Sequence, residues 1–358
     1  MLGDVLQSAP GEHADEDKER SVKVVVWDLD NTIWDGVLLE DASVTLRPGV
    51  TDVIRALDAR GILQSVSSKN DHATAMTKLE ELGIAEYFIY PQIGWGAKSV
   101  SVAAIASSIN VGVDTLAFID DQPFERDEVA FNHPLVICLD VSDIPSLLDR
   151  REFTPRFITE DSRNRRRMYM SDIKRNALES EFTGPKDEFM ATLGLELSLS
   201  RASVGDLQRA EELTRRTHQL NTTGYTYNYD ELKAFIESDD HELWIASLED
   251  RNGTFGKIGL CLLERSPAYW TIKLLLMSCR VMSYGIGTIM IGHAIGMAKQ
   301  AGVTLRAEFV RTDRNRMMLI TYRLGNFKVV HENGHKVLLE NDCSVVQAFP
   351  SYVTVRVN

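Results

Sequence analysis

Residues 22–29, VKVVVWDL, constrain the fold more than any other stretch of this chain. A short β-branched apolar run cut off by an acidic residue is the pattern of a strand buried on both faces. The pattern then recurs. RPGVTDVIRALDARG has helical spacing, with Pro48 suited to its first turn and Gly61 to its end. ILQSVS reads as a second strand, and DHATAMTKLEELG as a helix that Asp71 can cap and Gly83 can close. YFIYPQI is a third strand, KSVSVAAIASSINVG a helix, DTLAFIDD a fourth strand and LVICLDV a fifth. Strands alternating with helices predict an α/β domain with a doubly wound parallel sheet.

The chain changes character after residue 150. RFITEDSRNRRRMYMSDIKRNALES is charged and helix-prone, so a helical linker is expected over 151–185. Beyond it LGLELSLSRAS, ELWIASLED, FGKIGLCLLER and AYWTIKLLLMS read as longer, more antiparallel strands. TIMIGHAIGMAKQAG is a helix, and TLRAEFV and HKVLLE are further strands. This run predicts a second, α+β domain over 186–358, with a first domain over 21–150 and a flexible tail over 1–20. A length of 358 residues is ample for two cores.

The net charge of −13 argues against general nucleic-acid binding, since a polyanion would be repelled. The four cysteines, Cys138, Cys261, Cys279 and Cys343, lack metal or redox spacing and read as reduced thiols. No apolar run is long enough to span a bilayer, and the polar, acidic start is unlike a signal peptide. A cytoplasmic protein with no membrane partner is the expectation.

The strand ends carry the chemistry. In a parallel sheet, ligands bind just outside the carboxyl ends of the strands. The first strand ends in Asp28, with Asp30 and Thr32 following at steps of two, so Asp28 is presented as a nucleophile and Asp30 can be aimed at the same point. The second strand ends in Ser68, a donor for a phosphoryl oxygen, with Ser67 a possible substitute. Lys98 opens the next helix, where its cation can offset phosphate charge. The fourth strand ends in Asp120 and Asp121, with Glu125 a turn later. Paired carboxylates repel unless a cation lies between them, and oxygen ligands around a phosphate favour Mg²⁺. The stretches from Trp34 to Pro48 and from Ser68 to Lys98 are both too short for a sizeable cap. A capless, open site is therefore expected.

This order of motifs resembles the haloacid dehalogenase (HAD) superfamily. WDLDNTIWDGVLLED, SSKND, GWGAKSVSVAAIASSINVGVDTLAFIDDQPFERDEV, RRTHQLNTT and MSCRVMSYGIG resemble, more closely, the FkbH-like proteins of its subfamily IIIC. The resemblance implies that Asp28 attacks phosphorus to form an aspartyl-phosphate, while Asp30 protonates the leaving oxygen and later activates water. It implies that Thr32 and Ser68 bond the phosphoryl group and that Lys98 neutralises developing charge. Asp28, the Asp30 carbonyl and Asp120 would hold Mg²⁺, with Asp121 binding metal through water or orienting the site. The family joins such a domain to a region resembling the GNAT acyltransferases. It implies a glyceryl transferase and phosphatase that acts on 1,3-bisphosphoglycerate and loads glyceryl onto the phosphopantetheine thiol of an acyl carrier protein. A plain phosphatase of a small metabolite and a carrier-binding scaffold are the alternatives.

In the second domain, MSCRVMSYGIG is a strand followed by a glycine turn. GNAT proteins cradle a coenzyme A pyrophosphate at such a helix start. Met282 stands where the usual basic residue falls, which displaces Arg280, while Gly285 and Gly287 remain. A pantetheine arm beside this strand is one reading, and a packed helix start the other. By resemblance, His218 and Asn221 face the acyl site, and Asn315 and Tyr322 stand where GNAT proteins place a cofactor-contacting Asn and a general-acid Tyr. Core packing is the alternative for each. Arg163, Arg165, Arg166 and Arg167 are read either as a solvated helix face or as a docking patch for an acidic carrier.

Overall fold

The computed structural model describes residues 21–217 and 219–358, so the expected tail over 1–20 lies outside it. The chain divides into two compact units, one ending at Met170 and the other beginning at Ser171. The division falls inside the stretch expected as a linker.

The first unit runs β1 (Val24–Trp27), β2 (Trp34–Asp35), β3 (Thr45–Leu46), α1 (Val50–Ala59), β4 (Leu63–Ser68), α2 (His72–Glu81), β5 (Gln92–Ile93), α3 (Lys98–Ile109), β6 (Leu116–Ile119), α4 (Pro123–Asn132), β7 (Ile137–Leu139) and α5 (Glu160–Arg163). Its sheet has the order β5-β4-β1-β6-β7, and every pairing is parallel. The central strand β1 is buried along its whole length, as its continuous apolar run requires. Asp71 caps α2 by accepting from Thr74 N at 2.9 Å. Pro48 differs from its expected place. It precedes α1, whose N-cap is Gly49 in the left-handed region. YFIYPQI also differs: Tyr87 ends a 3₁₀ turn, Phe88 makes an isolated parallel bridge to Gln64, and the strand is confined to Gln92–Ile93.

Residues 151–170 pack on this unit because their arginines satisfy its carbonyls and carboxylates. Arg165 Nη1 donates to Gly61 O at 2.6 Å, and Arg166 bonds Asp58 Oδ1 at 3.0 Å and Glu86 O at 2.8 Å. Two of the four arginines expected as one exposed face are thus buried structural groups, and Arg163 and Arg167 are exposed.

Next come α6 (Arg165–Glu181), within which the division falls, α7 (Lys186–Leu193), β8 (Leu195–Arg201), α8 (Leu207–Arg216), α9 (Tyr229–Glu237), β9 (His241–Asp250), β10 (Gly253–Arg265), β11 (Tyr269–Met277), α10 (Ile286–Ala301), β12 (Thr304–Val310), α11 (Arg316–Leu324), β13 (Lys328–Asn333), β14 (Lys336–Asn341) and β15 (Val353–Val357). The second sheet is mixed, in the order β13-β14-β12-β11-β10-β9-β8-β15. Alternate residues of its strands feed two cores. Leu243 and Ile245 pack with α8 and α9, while Trp244 and Ala246 pack with α7 and α10. Arg175 is buried in this unit, bonded to Asp250 at 2.7 and 2.8 Å and to Asp172 at 2.8 Å, with its guanidinium 3.7 Å from the Phe255 ring centroid. Among the described residues, no helix is long and apolar enough to cross a membrane.

Candidate functional site

The site of the first unit is built from the carboxyl ends of β1, β4 and β6. Pairing of β1 with both neighbours, Trp27 against Val66 and against Ile119, brings their following residues to one edge. There Lys98, at the start of α3, is buried and makes three contacts. Its Nζ donates to Asp28 Oδ1, to Ser67 O at 2.7 Å and to Asp120 Oδ2 at 3.1 Å. Burial works against this ammonium, but the Asp28 and Asp120 carboxylates outweigh it and hold its pKa above the usual range.

The carboxylates are crowded. Burial, and then the charge of Asp28, push Asp120 up to about 6. Burial, and then the charge of Asp120, raise Asp121. Burial also raises Asp28, against the pull of Lys98 and a smaller contribution from the Ser68 hydroxyl. Asp28, Asp120 and Asp121 each offer an oxygen within 4.8 Å of the others. Asp121 Oδ1 is buried without a hydrogen-bond partner. An all-oxygen donor set with an unused lone pair and mutual repulsion suits a hard divalent cation of the magnesium class.

The remaining first-unit residues are ordered around this cluster. Thr32 Oγ1 lies 3.4 Å from Asp28 Oδ2 and accepts from Asp121 N at 3.2 Å. Gln122 N donates to Asp120 Oδ1 at 2.8 Å. Asp30 is held by three donors: Trp34 Nε1 at 2.8 Å and Leu38 N at 3.0 Å on Oδ1, and Asn70 Nδ2 at 3.0 Å on Oδ2. Its carboxylate is therefore outside the three-carboxylate cluster. Asn70 was missed by sequence reasoning, although it ends SSKN, because its job is to aim another side chain. Glu125 is buried and paired with Lys69 at 2.6 Å. Ser67 and Ser68 divide as alternation along a strand demands. Ser68 turns toward Asp28, while the Ser67 hydroxyl is buried and unpartnered.

In the second unit Asn221, Arg280 and Asn315 have internal partners, whereas the buried Tyr322 hydroxyl has none. β11 and β12 pair in parallel from Tyr269–Thr304 to Ile272–Ala307. Beyond that register the segment 220–223 enters between them. Met277 N donates to Leu220 O at 3.0 Å, Thr222 N to Leu275 O at 3.0 Å, Leu275 N to Thr222 Oγ1 at 3.0 Å and Val310 N to Thr222 O at 2.9 Å. Asn221 Oδ1 accepts from Thr223 N and Gly224 N, and Asn315 Nδ2 donates to Asn221 O at 3.1 Å and Val310 O at 2.8 Å. The structure thus brings Asn221 and Asn315 together as clamps on this inserted segment. His218, expected nearby, lies outside the described residues.

Arg280 pairs with Asp172 at 3.5 Å and donates to Phe255 O at 2.6 Å. Gly285, at φ 75°, is the N-cap of α10, and a Cβ there would meet the Tyr352 hydroxyl at 3.1 Å. A Cβ on Gly287 would come within 2.5 Å of Met277 Cε, the movable end of a flexible side chain. Tyr322 is fully buried, its ring centroid 5.1 Å from that of Phe327, and burial holds its hydroxyl well above the usual range.

No family model matches this chain, and no curated protein matches it. Among solved structures, it is similar to the N-terminal part of the protein BF1531 from Bacteroides fragilis, which contains a phosphatase domain complexed with Mg. The identity there is 29%, the match covers 37% of this chain and 40% of that one, and the TM-score is 0.32. It is also similar to the ribosomal-protein-S18-alanine N-acetyltransferase of Escherichia coli, at 13% identity over 40% of this chain and 90% of that one, with TM-score 0.32. Arabidopsis thaliana NAA60, solved with a bisubstrate analogue, matches at 15% identity over 40% of this chain and 97% of that one, with TM-score 0.33. These likenesses are partial, and what each neighbour binds belongs to that protein.

Proposed function

We propose that the first unit is a phosphoryl-transfer site that cleaves a phosphate ester with Asp28 as nucleophile. The observation that carries this reading is Lys98, buried between Asp28 and Asp120 at the ends of parallel strands. An Asp28 oxygen attacks phosphorus, and the bond from phosphorus to the leaving oxygen breaks. Asp30, aimed by Trp34, Leu38 and Asn70, passes a proton to that oxygen. Asp30 then takes a proton from water, whose oxygen attacks the aspartyl-phosphate and frees Asp28 and phosphate. Lys98, Thr32 and Ser68 balance and orient the phosphoryl oxygens. Asp28, the Asp30 carbonyl, Asp120 and Asp121 would hold Mg²⁺, which shields charge between nucleophile and phosphate. The short β2–β3 pair between β1 and α1 supports an open, capless entrance.

The motifs shared with the FkbH-like proteins extend this to a glyceryl transferase and phosphatase. In that reading the thiol of an acyl carrier protein gives up its proton and attacks the acyl carbon of 1,3-bisphosphoglycerate, the bond from that carbon to the phosphate oxygen breaks to release inorganic phosphate, and the Asp28 site removes the ester phosphate. A plain Mg²⁺-dependent phosphatase is the second reading. It is favoured by the pairing of Leu275 and Met277 with the chain's own segment 220–222, along the strand a pantetheine arm would follow. Intact-protein mass spectrometry tests both. Enzyme, Mg²⁺, 1,3-bisphosphoglycerate and a holo carrier protein should give a glyceryl adduct, and Asp28→Asn a phosphoglyceryl adduct or none. Phosphate release by wild type with no adduct on any carrier leaves the phosphatase alone.

A further inference from the structure

Three segments next to the phosphoryl site, the loop after β2, the loop after β5 and the first turn of α4, each expose a large apolar side chain. Leu39 is 50% exposed, Trp95 71% and Phe124 74%. The segments are fixed to the site beside each one. Leu38 N bonds Asp30 Oδ1 at 3.0 Å, Gly94 N bonds Ser68 O at 3.0 Å and Gln122 N bonds Asp120 Oδ1 at 2.8 Å. The three residues therefore stand one or two positions from backbone amides that bond Asp30, Ser68 and Asp120. Trp27 and Trp34, in contrast, are fully buried. Apolar surface held in water around a polar site marks a contact that a ligand completes.

We infer that Leu39, Trp95 and Phe124 form a specificity rim for the leaving group, and that this group bears an apolar or aromatic face. The inference rests on the phosphoryl-transfer reading above. A small polyol phosphate would leave the rim bare, whereas an ester on a longer apolar arm would cover it.

Phenethyl phosphate and ethyl phosphate test this, because their alcohols are of similar acidity and differ mainly in apolar surface. For the full chain with Mg²⁺, kcat/KM should favour phenethyl phosphate by about tenfold, the equivalent of about 1.4 kcal/mol. A Trp95→Ala/Phe124→Ala variant should bring the ratio to within about twofold, through KM rather than kcat. A second arm reads binding without turnover. Phenylpropylphosphonate should shift the emission of Trp95 to the blue, methylphosphonate should not, and Trp95→Phe should abolish the shift. Phosphate release with no preference and no shift overturns the rim and leaves the hydrolysis. A shift without release from either ester overturns the hydrolysis and leaves the rim. Neither release nor shift overturns both.

Discussion

The two candidate sites differ in what their buried polar groups meet. In the first, Asp28, Asp120 and Asp121 are gathered beyond what one lysine can neutralise, and Asp121 Oδ1 has no partner. In the second, the amides freed where β11 and β12 part are matched by Leu220 and Thr222, with Asn221 and Asn315 clamping the segment. Carboxylates crowded beyond their counter-charge mark a place where a cation binds, because the fold has left repulsion for the ion to relieve. Satisfied demand marks structure. This contrast ranks the first unit above the second as the seat of chemistry, in line with the fuller set of motifs at its strand ends.

The contrast can be broken most sharply at Asp28. Asp28→Asn should lower phosphate release by at least about 10⁴-fold, since no other group supplies the nucleophile. A residual rate within tenfold of wild type would move the chemistry elsewhere. Lys98→Met should cost about 10² to 10³ in kcat, the range for removing a preorganised charge partner. Retention of full activity would make the lysine merely structural.

Stability sharpens the comparison on a smaller scale. Thr222→Val leaves Leu275 N unpaired in a buried setting and should lower unfolding free energy by about 1–3 kcal/mol, read by denaturant titration. Coenzyme A should leave the melting temperature of the full chain unchanged, whereas Mg²⁺ should raise it. A coenzyme-dependent rise would show that segment 220–223 yields to a ligand.

The smallest effect is in pH. Asp120 is raised from 3.8 to about 6, so the folded chain holds that proton more tightly than the unfolded one. Its contribution to stability is complete below pH 3.8 and lost as pH rises through about 6. The metal-free melting temperature should fall over that window, and Mg²⁺ should raise it more at about pH 7.5 than at about pH 5, because the ion needs the ionised carboxylate. Asp120→Asn should flatten both responses. If the fall persists in that variant, Asp120 is not its source.

Much of the first site was legible because its residues stand at strand ends, where short-range pattern and topology coincide. Asp28, Ser68, Lys98 and Asp120 each follow or open an element that the apolar spacing reveals. Asn70 and Trp34 were not legible as site residues, because they act on Asp30 through hydrogen bonds that no spacing encodes. The arginine run misleads for the same reason. Arg165 and Arg166 look like a charged helix face until Gly61, Asp58 and Glu86 are placed beside them. In the second unit, the final strand β15 was not foreseen. VTVRV is short, and its partner β8 is far away in sequence.

Most elements and their alternation follow from local pattern, since apolar period and turn residues are local properties. The sequence also determined which acidic and basic residues stand at the strand ends of the first sheet. Which of these groups meet, and with what left over, depends on how the strands pair. Lys98 reaches both Asp28 and Asp120 because parallel pairing to β1 aligns three strand ends. The segment 220–223 closes the gap between β11 and β12 because unpaired backbone amides inside a protein must find a partner wherever the chain can supply one.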